Sequence, residues 1–355
     1  MRTAASGLIL MYHRVAQVET DPWQLCVSPQ HFAQQMQALR QHCTPMPLRE
    51  LVESARAGSL PRRAVAITFD DGYSDVLDEA APILVANAVP ATTFLVGHML
   101  EEPDRFWWDE VAGFFLQPGA LPELLDFVTQ EDRLTIPLES PAPIDADGWA
   151  ASCNWVAYTQ EPPTPRHAAF LRTWEWLQRM TPTRRLHALT AIRMAMGATV
   201  SRPAGAALTP EQARKLSNMS GMEIGAHGMT HTPLSALPPA DQRYEIADSK
   251  RTIEQVIRRP VRSFAYPYGG ASDYSDETVR LVQEAGIDCA CSNFEATVDA
   301  RTNPFRLPRL HVPDMDGAAF VAHVTGFPPA SSAWQRAMAA GRRRLARLRQ
   351  VRVRP

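Results

Sequence analysis

Two adjacent carboxylates, Asp70 and Asp71, and two imidazoles, His227 and His231, are the side chains best placed by type and spacing to do chemistry. The carboxylates end the run Thr68-Phe69-Asp70-Asp71-Gly72, and the residues before it, from Ala64, read as a short buried β-strand. Successive strand side chains point to opposite faces, so neighbouring Asp residues share one site only where the strand becomes a loop. Gly72 permits that turn. The two His follow a second strand-like run, Met222-Glu223-Ile224-Gly225-Ala226, and converge on one ion if the loop is helical there. Two imidazoles and one carboxylate make a three-ligand site with positions open to water, the pattern of a catalytic divalent metal. The other Asp is then free to act as a base. Each half alone has an ordinary explanation, in turn chemistry for Asp-Asp-Gly and in a solvated or packed pair for the two His. Gly228 excludes the zincin arrangement, which needs Glu directly after the first His. Together, at the ends of two predicted strands, the halves point to catalysis.

The elements that must position these residues alternate along the chain. Strands are predicted at Gly7 to Tyr12, Ala64 to Phe69, Ala91 to Val96, Met222 to Ala226, Val261 to Ala265, Ile287 to Cys291 and Arg306 to Val312. Helices are predicted from Ser28-Pro29 to Gln41, Leu48 to Ala57, Asp75 to Asn87, from the capping box at Thr209, Ala240 to Arg258, and Asp276 to Ala285 before Gly286. Such alternation argues a parallel α/β architecture with functional residues at the C-terminal ends of the strands.

Residues 101–205 break the rhythm. They are rich in Pro and Trp, with helical stretches near Asp109 to Leu116 and Arg166 to Met196, and they read as a helical insertion over the mouth of the site. The adjacent Trp107 and Trp108 offer either a stacking face for a sugar ring or simple packing. The expected organisation is a discontinuous barrel from 1–100 and 206–330, the insertion between, and a basic tail over 331–355. From Trp334 the tail carries eight arginines, with Trp334, Met338, Leu345 and Leu348 at helical spacing. That pattern reads as peripheral membrane contact, as binding to an anionic partner, or as a solvated terminus.

Apolar residues make up 45% of the 355, enough for a substantial core, and a net charge of −2 gives no field for nucleic acid. Lysine occurs only at 215 and 250. The five cysteines show no metal-ligand spacing; Cys289 and Cys291 share one face of a predicted strand as core, which suits a reducing compartment. The apolar run Leu8-Ile9-Leu10-Met11 is too short for an export signal, so a cytoplasmic location is expected, with the inner face of the membrane as an option through the tail.

Thr68-Phe69-Asp70-Asp71-Gly72, His227-Gly228-Met229-Thr230-His231 and Phe264-Ala265-Tyr266-Pro267-Tyr268-Gly269 resemble the first three motifs of the polysaccharide deacetylases, carbohydrate esterase family 4. Met11-Tyr12-His13-Arg14 and Leu307-Pro308-Arg309 extend the resemblance, which covers residues 7–100 and 206–325 in order. It implies a distorted (β/α)7 barrel that removes N-acetyl or other acyl groups from sugars. Carried over by residue, it implies Asp70 as general base, Asp71, His227 and His231 as ligands of one divalent metal, and a Tyr268 backbone N–H facing the oxyanion. Zinc is the default ion, with Co²⁺, Mn²⁺ or Ni²⁺ also suited. The third motif of the family commonly begins with an Arg that orients the base; Ala265 stands there, and Arg309 is the candidate substitute. His311 is the candidate acid, with His13 second, although Arg309 stands where the last motif usually has Leu. These departures resemble the branch acting in exopolysaccharide or glycolipid assembly.

The expected activity is therefore metal-dependent N-deacetylation of a saccharide or lipid-linked saccharide. Two alternatives use the same residues: a deformylase or amidohydrolase on a non-polymeric substrate, and an inactive glycan-binding relative. The intact ligand set argues against the last. No G-x-S-x-G elbow or P-loop occurs, which removes serine-hydrolase and phosphate-binding readings.

Overall fold

The structure, a computed structural model, describes residues 6–101, 106–138, 146–197 and 205–327. The tail from Trp334 lies outside the described residues. Seven parallel strands form the barrel: β1 (Leu8–Tyr12), β2 (Ala64–Phe69), β3 (Ala91–Leu95), β4 (Met222–Ala226), β5 (Ser263–Ala265), β6 (Cys289–Cys291) and β7 (Leu310–His311). Their order is β6-β5-β4-β3-β2-β1-β7, and a short segment at Thr44–Pro45 pairs with the start of β2. The chain leading into β7 closes the ring. Leu307 bridges Cys291 of β6, and Leu310 and His311 then pair with Leu10 and Met11 of β1. The architecture is the distorted (β/α)7 barrel anticipated from the sequence, with a largely helical insertion.

Buried runs on both faces account for the strands. Every residue of β1, β2 and β3 is buried, as parallel strands between an interior and a helical layer require. Ile9, Ala66, Phe94, Ala265 and Cys291 pack with Leu48, Leu51 and Val52 of the helix Leu48–Arg56. Leu10, Ile67 and Phe264 instead join a cluster with the surrounding helices. Cys289 and Cys291 are buried free thiols, as core cysteines should be.

Register brings the functional ends level. Tyr12 pairs with Phe69, Phe69 with Thr93, and Leu95 with Ala226. The next residues in β2 and β4 are Asp70 and His227, so both begin loops on the same rim.

Several elements depart from the periodicity. The helical stretch expected near Arg166 to Met196 is divided into Pro165–Gln178 and Pro182–Met196, because Pro182 opens a new first turn after Thr181. Pro239–Arg243 and Ser249–Ile257 are separated by a π-helical turn, Tyr244–Asp248. The insertion also contains an antiparallel ribbon, Leu124–Val128 with Arg133–Pro137, which the sequence reading missed. Its core gathers Phe106, Trp107, Trp108, Phe127 and Phe170 against Tyr73 and Ala207 of the barrel loops.

Candidate active site

The Asp-Asp loop is wound by two left-handed residues. Asp70 still donates its N–H to the Tyr12 carbonyl, at 3.0 Å, before Asp71 turns with φ 71° and Gly72 with φ 84°. A Cβ on Gly72 would meet Leu95 Cδ2 at 2.6 Å, so the turn needs glycine for space as well as conformation.

The His loop does not form the helix expected from the spacing of His227 and His231. Gly228 at φ 77° and His231 at φ 54° curl it instead, because Glu245 offers its backbone a better partner. Glu245 is buried on the π-helical turn and accepts from the Met229 and Thr230 N–H groups, at 2.8 and 2.9 Å, and from the Thr230 hydroxyl. A π-helical turn re-aims one side chain without breaking the helix. No sequence signal marked Glu245. Left-handed conformations at Asp71, His231 and Tyr268 (φ 61°) cost about 1–3 kcal/mol each and cluster at one place, as functional strain does.

Asp71, His227 and His231 converge. Their candidate ligand atoms all lie within 4.8 Å of one another, and all three residues are buried. The His227 Nδ1–H donates to the Ala265 carbonyl, at 2.8 Å, which turns the Nε2 lone pair toward Asp71 Oδ1, 3.5 Å away. His231 Nε2 is 3.3 Å from the same oxygen. Asp71 Oδ1 is buried and takes no well-formed hydrogen bond. Lone pairs facing one another in a buried space repel unless a cation lies between them, so the donor set fits a divalent metal. Burial pushes His231 down to about 3, keeping its imidazole neutral. Burial would lower His227 as well, but the charges of Asp70 and Asp71 outweigh it and raise it.

Asp70 has a different partner. Arg309, 1% exposed, donates from both terminal nitrogens to its two oxygens, at 2.6 and 2.7 Å, and from Nε to the Ser292 carbonyl. Burial would raise the Asp70 carboxyl, yet the guanidinium holds it well below the usual range. Ala265, where the family has its orienting Arg, serves here as the carbonyl that fixes His227.

Comparison with known proteins fits this geometry. The sequence pattern described as polysaccharide deacetylase matches residues 57–125 and 170–290, more than half of the chain. The chain belongs to the polysaccharide deacetylase family. It is 33% identical over 106 residues to the poly-beta-1,6-N-acetyl-D-glucosamine N-deacetylase of Staphylococcus epidermidis, covering 26% of this chain and 36% of that protein. The chain spans only 36–41% of the length of the curated relatives it matches here. Among solved structures, the deacetylase PplD of Streptococcus pyogenes aligns with a TM-score of 0.57 at 17% identity, over 92% of this chain and all of that one. IcaB from Ammonifex degensii aligns at 0.51 and 15% identity, over 90% and 97%. These structural likenesses concern the fold.

Measured against the motifs of the polysaccharide deacetylases, the remaining sequence candidates divide. Tyr268 lies beside the Asp71, His227 and His231 cluster, its ring 4.8 Å from that of His231. His311 sits on β7, where its Nε2–H donates to the Gln24 carbonyl at 3.0 Å, and burial pushes it down to about 4. Among the described residues it makes no hydrogen bond to Asp70, Asp71, His227 or His231. His13 has a buried Nδ1 without a partner and lies close enough to Asp70 and Asp71 to influence both carboxyls. Trp107 and Trp108, 8% and 6% exposed, are wall rather than open platform. Trp108 stands 4.7 Å from the His231 ring, and Trp107 packs edge-on against Trp108.

Proposed function

We propose that this chain is a metal-dependent hydrolase that removes the N-acetyl group from an amino sugar of a saccharide. The observation that carries the reading is the division of labour between adjacent carboxylates: Asp71 faces two imidazole nitrogens, while Asp70 is gripped by Arg309. Asp71, His227 and His231 would hold the ion, zinc by default with Co²⁺, Mn²⁺ or Ni²⁺ also suited. When bound, it would polarise the amide carbonyl and make a nearby water more acidic. Asp70, kept ionised by Arg309, accepts the proton of the attacking water. The Tyr268 backbone N–H offers a preset donor to the developing oxyanion. A departing amine also needs a proton, for which the sequence offered His311 and His13.

The test is acetate release from N-acetylglucosamine oligomers, before and after chelation and with each metal restored. Absence of release from every acetylated sugar, by metal-loaded folded protein, would overturn the reading. A second reading, a deformylase or amidohydrolase on a small substrate, is favoured by the burial of Asp70, Asp71, His227 and His231 beneath the insertion. Formate release from formylated sugars separates the two. The tail's arginines support a lipid-linked saccharide at the inner face of an anionic membrane as the natural substrate.

A further inference from the structure

A cavity of about 110 Å³ opens at the N-terminal end of the barrel, between the starts of β4 and β5. Arg49, Arg259 and Arg262 line it, against a single carboxylate, Glu223. His227 follows the last residue of β4, so the cluster with Asp71 and His231 lies at the opposite end of that strand. At about 3.3 Å per residue the separation is roughly 16 Å. A group held in this cavity is therefore not the one that meets Asp70 and Asp71.

The three arginines arrive from different elements. Arg49 stands in the first turn of the helix Leu48–Arg56 and places one terminal nitrogen 3.1 Å from Asp288 and 4.0 Å from Glu53. Its Nε is buried and donates to nothing. Arg259 gives one N–H to the Ser217 carbonyl at 2.6 Å. Neither Arg259 nor Arg262 has a carboxylate within ion-pair distance among the described residues. Ser263 opens β5 and also lines the cavity; it is 2% exposed, and its hydroxyl bonds to no described group. Glu223 is engaged by the Thr92 hydroxyl, at 3.4 Å.

Guanidinium groups without counter-charge, and buried donors without acceptors, carry a free-energy cost that a bound anion relieves. A planar carboxylate is satisfied by one guanidinium fork. Donors supplied by a helix, a loop and the start of a strand suit a tetrahedral oxyanion, whose oxygens point several ways. Size narrows the choice further. Pockets for drug-sized ligands run to about 300–1,000 Å³, so this cavity admits one phosphate-sized group and excludes a whole nucleotide. We infer that the cavity beneath β4 and β5 is a binding site for a single phosphate group, borne by free phosphate, a phosphomonoester or a lipid headgroup. Its donors come from distant stretches of chain and not from a phosphate-binding loop, so no local motif announces it.

Calorimetric titration of the full chain with inorganic phosphate tests the site, both metal-loaded and after chelation. Binding should survive chelation, because no donor here belongs to the Asp71, His227 and His231 cluster. In Arg262→Met it should weaken by about 10–100-fold, the scale of hydrogen bonds to charged groups. Arg262 is exposed, so loss of the fold does not confuse this variant. Glu223→Gln removes the one opposing carboxylate and should tighten binding by about 2–5-fold, as for a partly exposed charge pair. Binding that disappears on chelation, or an unchanged affinity in Arg262→Met, overturns the inference. Vesicles containing phosphatidic acid separate the sources. Arg262-dependent capture by these vesicles without binding of inorganic phosphate assigns the site to a lipid headgroup, whereas binding of inorganic phosphate assigns it to a soluble ligand. Absence of Arg262-dependent binding to either overturns it.

Discussion

Arg309 holds Asp70 through two parallel N–H···O bonds, and it reaches that residue from the segment that closes the barrel. A bidentate guanidinium fixes both the charge and the direction of a carboxylate. Arg309 thereby grips, from the end of the barrel, the carboxylate proposed as the base.

Asp70→Asn should lower turnover by about 10²–10⁴-fold, the usual scale for a general base. It should also destabilise the fold by about 3–5 kcal/mol, because Arg309 is left buried without its counter-charge. Turnover is therefore measured well below the unfolding midpoint. Near-normal rates in folded protein would remove Asp70 from the reaction.

His231→Ala should lose the divalent ion, read as metal per chain by elemental analysis. Full retention would contradict the ligand assignment. Glu245→Gln leaves the three ligands in place but weakens the acceptor that shapes their loop. Its metal affinity should fall by about 10–100-fold, the scale for residues that orient ligands. An unchanged affinity would make Glu245 irrelevant to the loop.

Acid should loosen the insertion through His167. This buried residue caps the start of the helix Pro165–Gln178 with Thr164, and burial, then Arg166, pushes it down to about 4. Between about 6.5, its ordinary value, and 4 the unfolded chain binds a proton that the folded chain refuses. Stability therefore rises with pH across that window. Thermal unfolding from pH 4 to 7 should show the slope, and His167→Gln should flatten it; an equal slope would locate the acid sensitivity elsewhere.

The tail is expected to bind anionic vesicles. Arg342, Arg343, Arg344, Arg347 and Arg349 lie close in sequence beside Leu345 and Leu348, and each basic residue near such a surface contributes about 1 kcal/mol. Full chain should co-sediment with anionic liposomes at low salt, less so at high salt, and a chain truncated after Ser332 should not. Equal sedimentation of both would refute the idea.

The sequence was most legible where chemistry follows local period. Ala64–Phe69 and Met222–Ala226 are strands because each is a short apolar run ended by a turn, and their last residues mark the site rim. The winding of the His loop was not legible, since it depends on Glu245 of a distant helix and on left-handed backbone at His231. Arg309 could be guessed from motif proximity, but its grip on Asp70 is a product of barrel closure.

The closing segment also sets the order in which competence can arise. Leu10 pairs with Leu310 and Cys291 with Leu307, so the ring joins the first barrel strand to the last. Contacts between such remote segments carry the largest loop-closure cost and form late. A nascent chain can therefore present Asp71, His227 and His231 before Arg309 has emerged to orient Asp70. Hydrolytic power should switch on only with completion of the ring, which makes catalytic onset, followed during refolding, a clock for the final topological step.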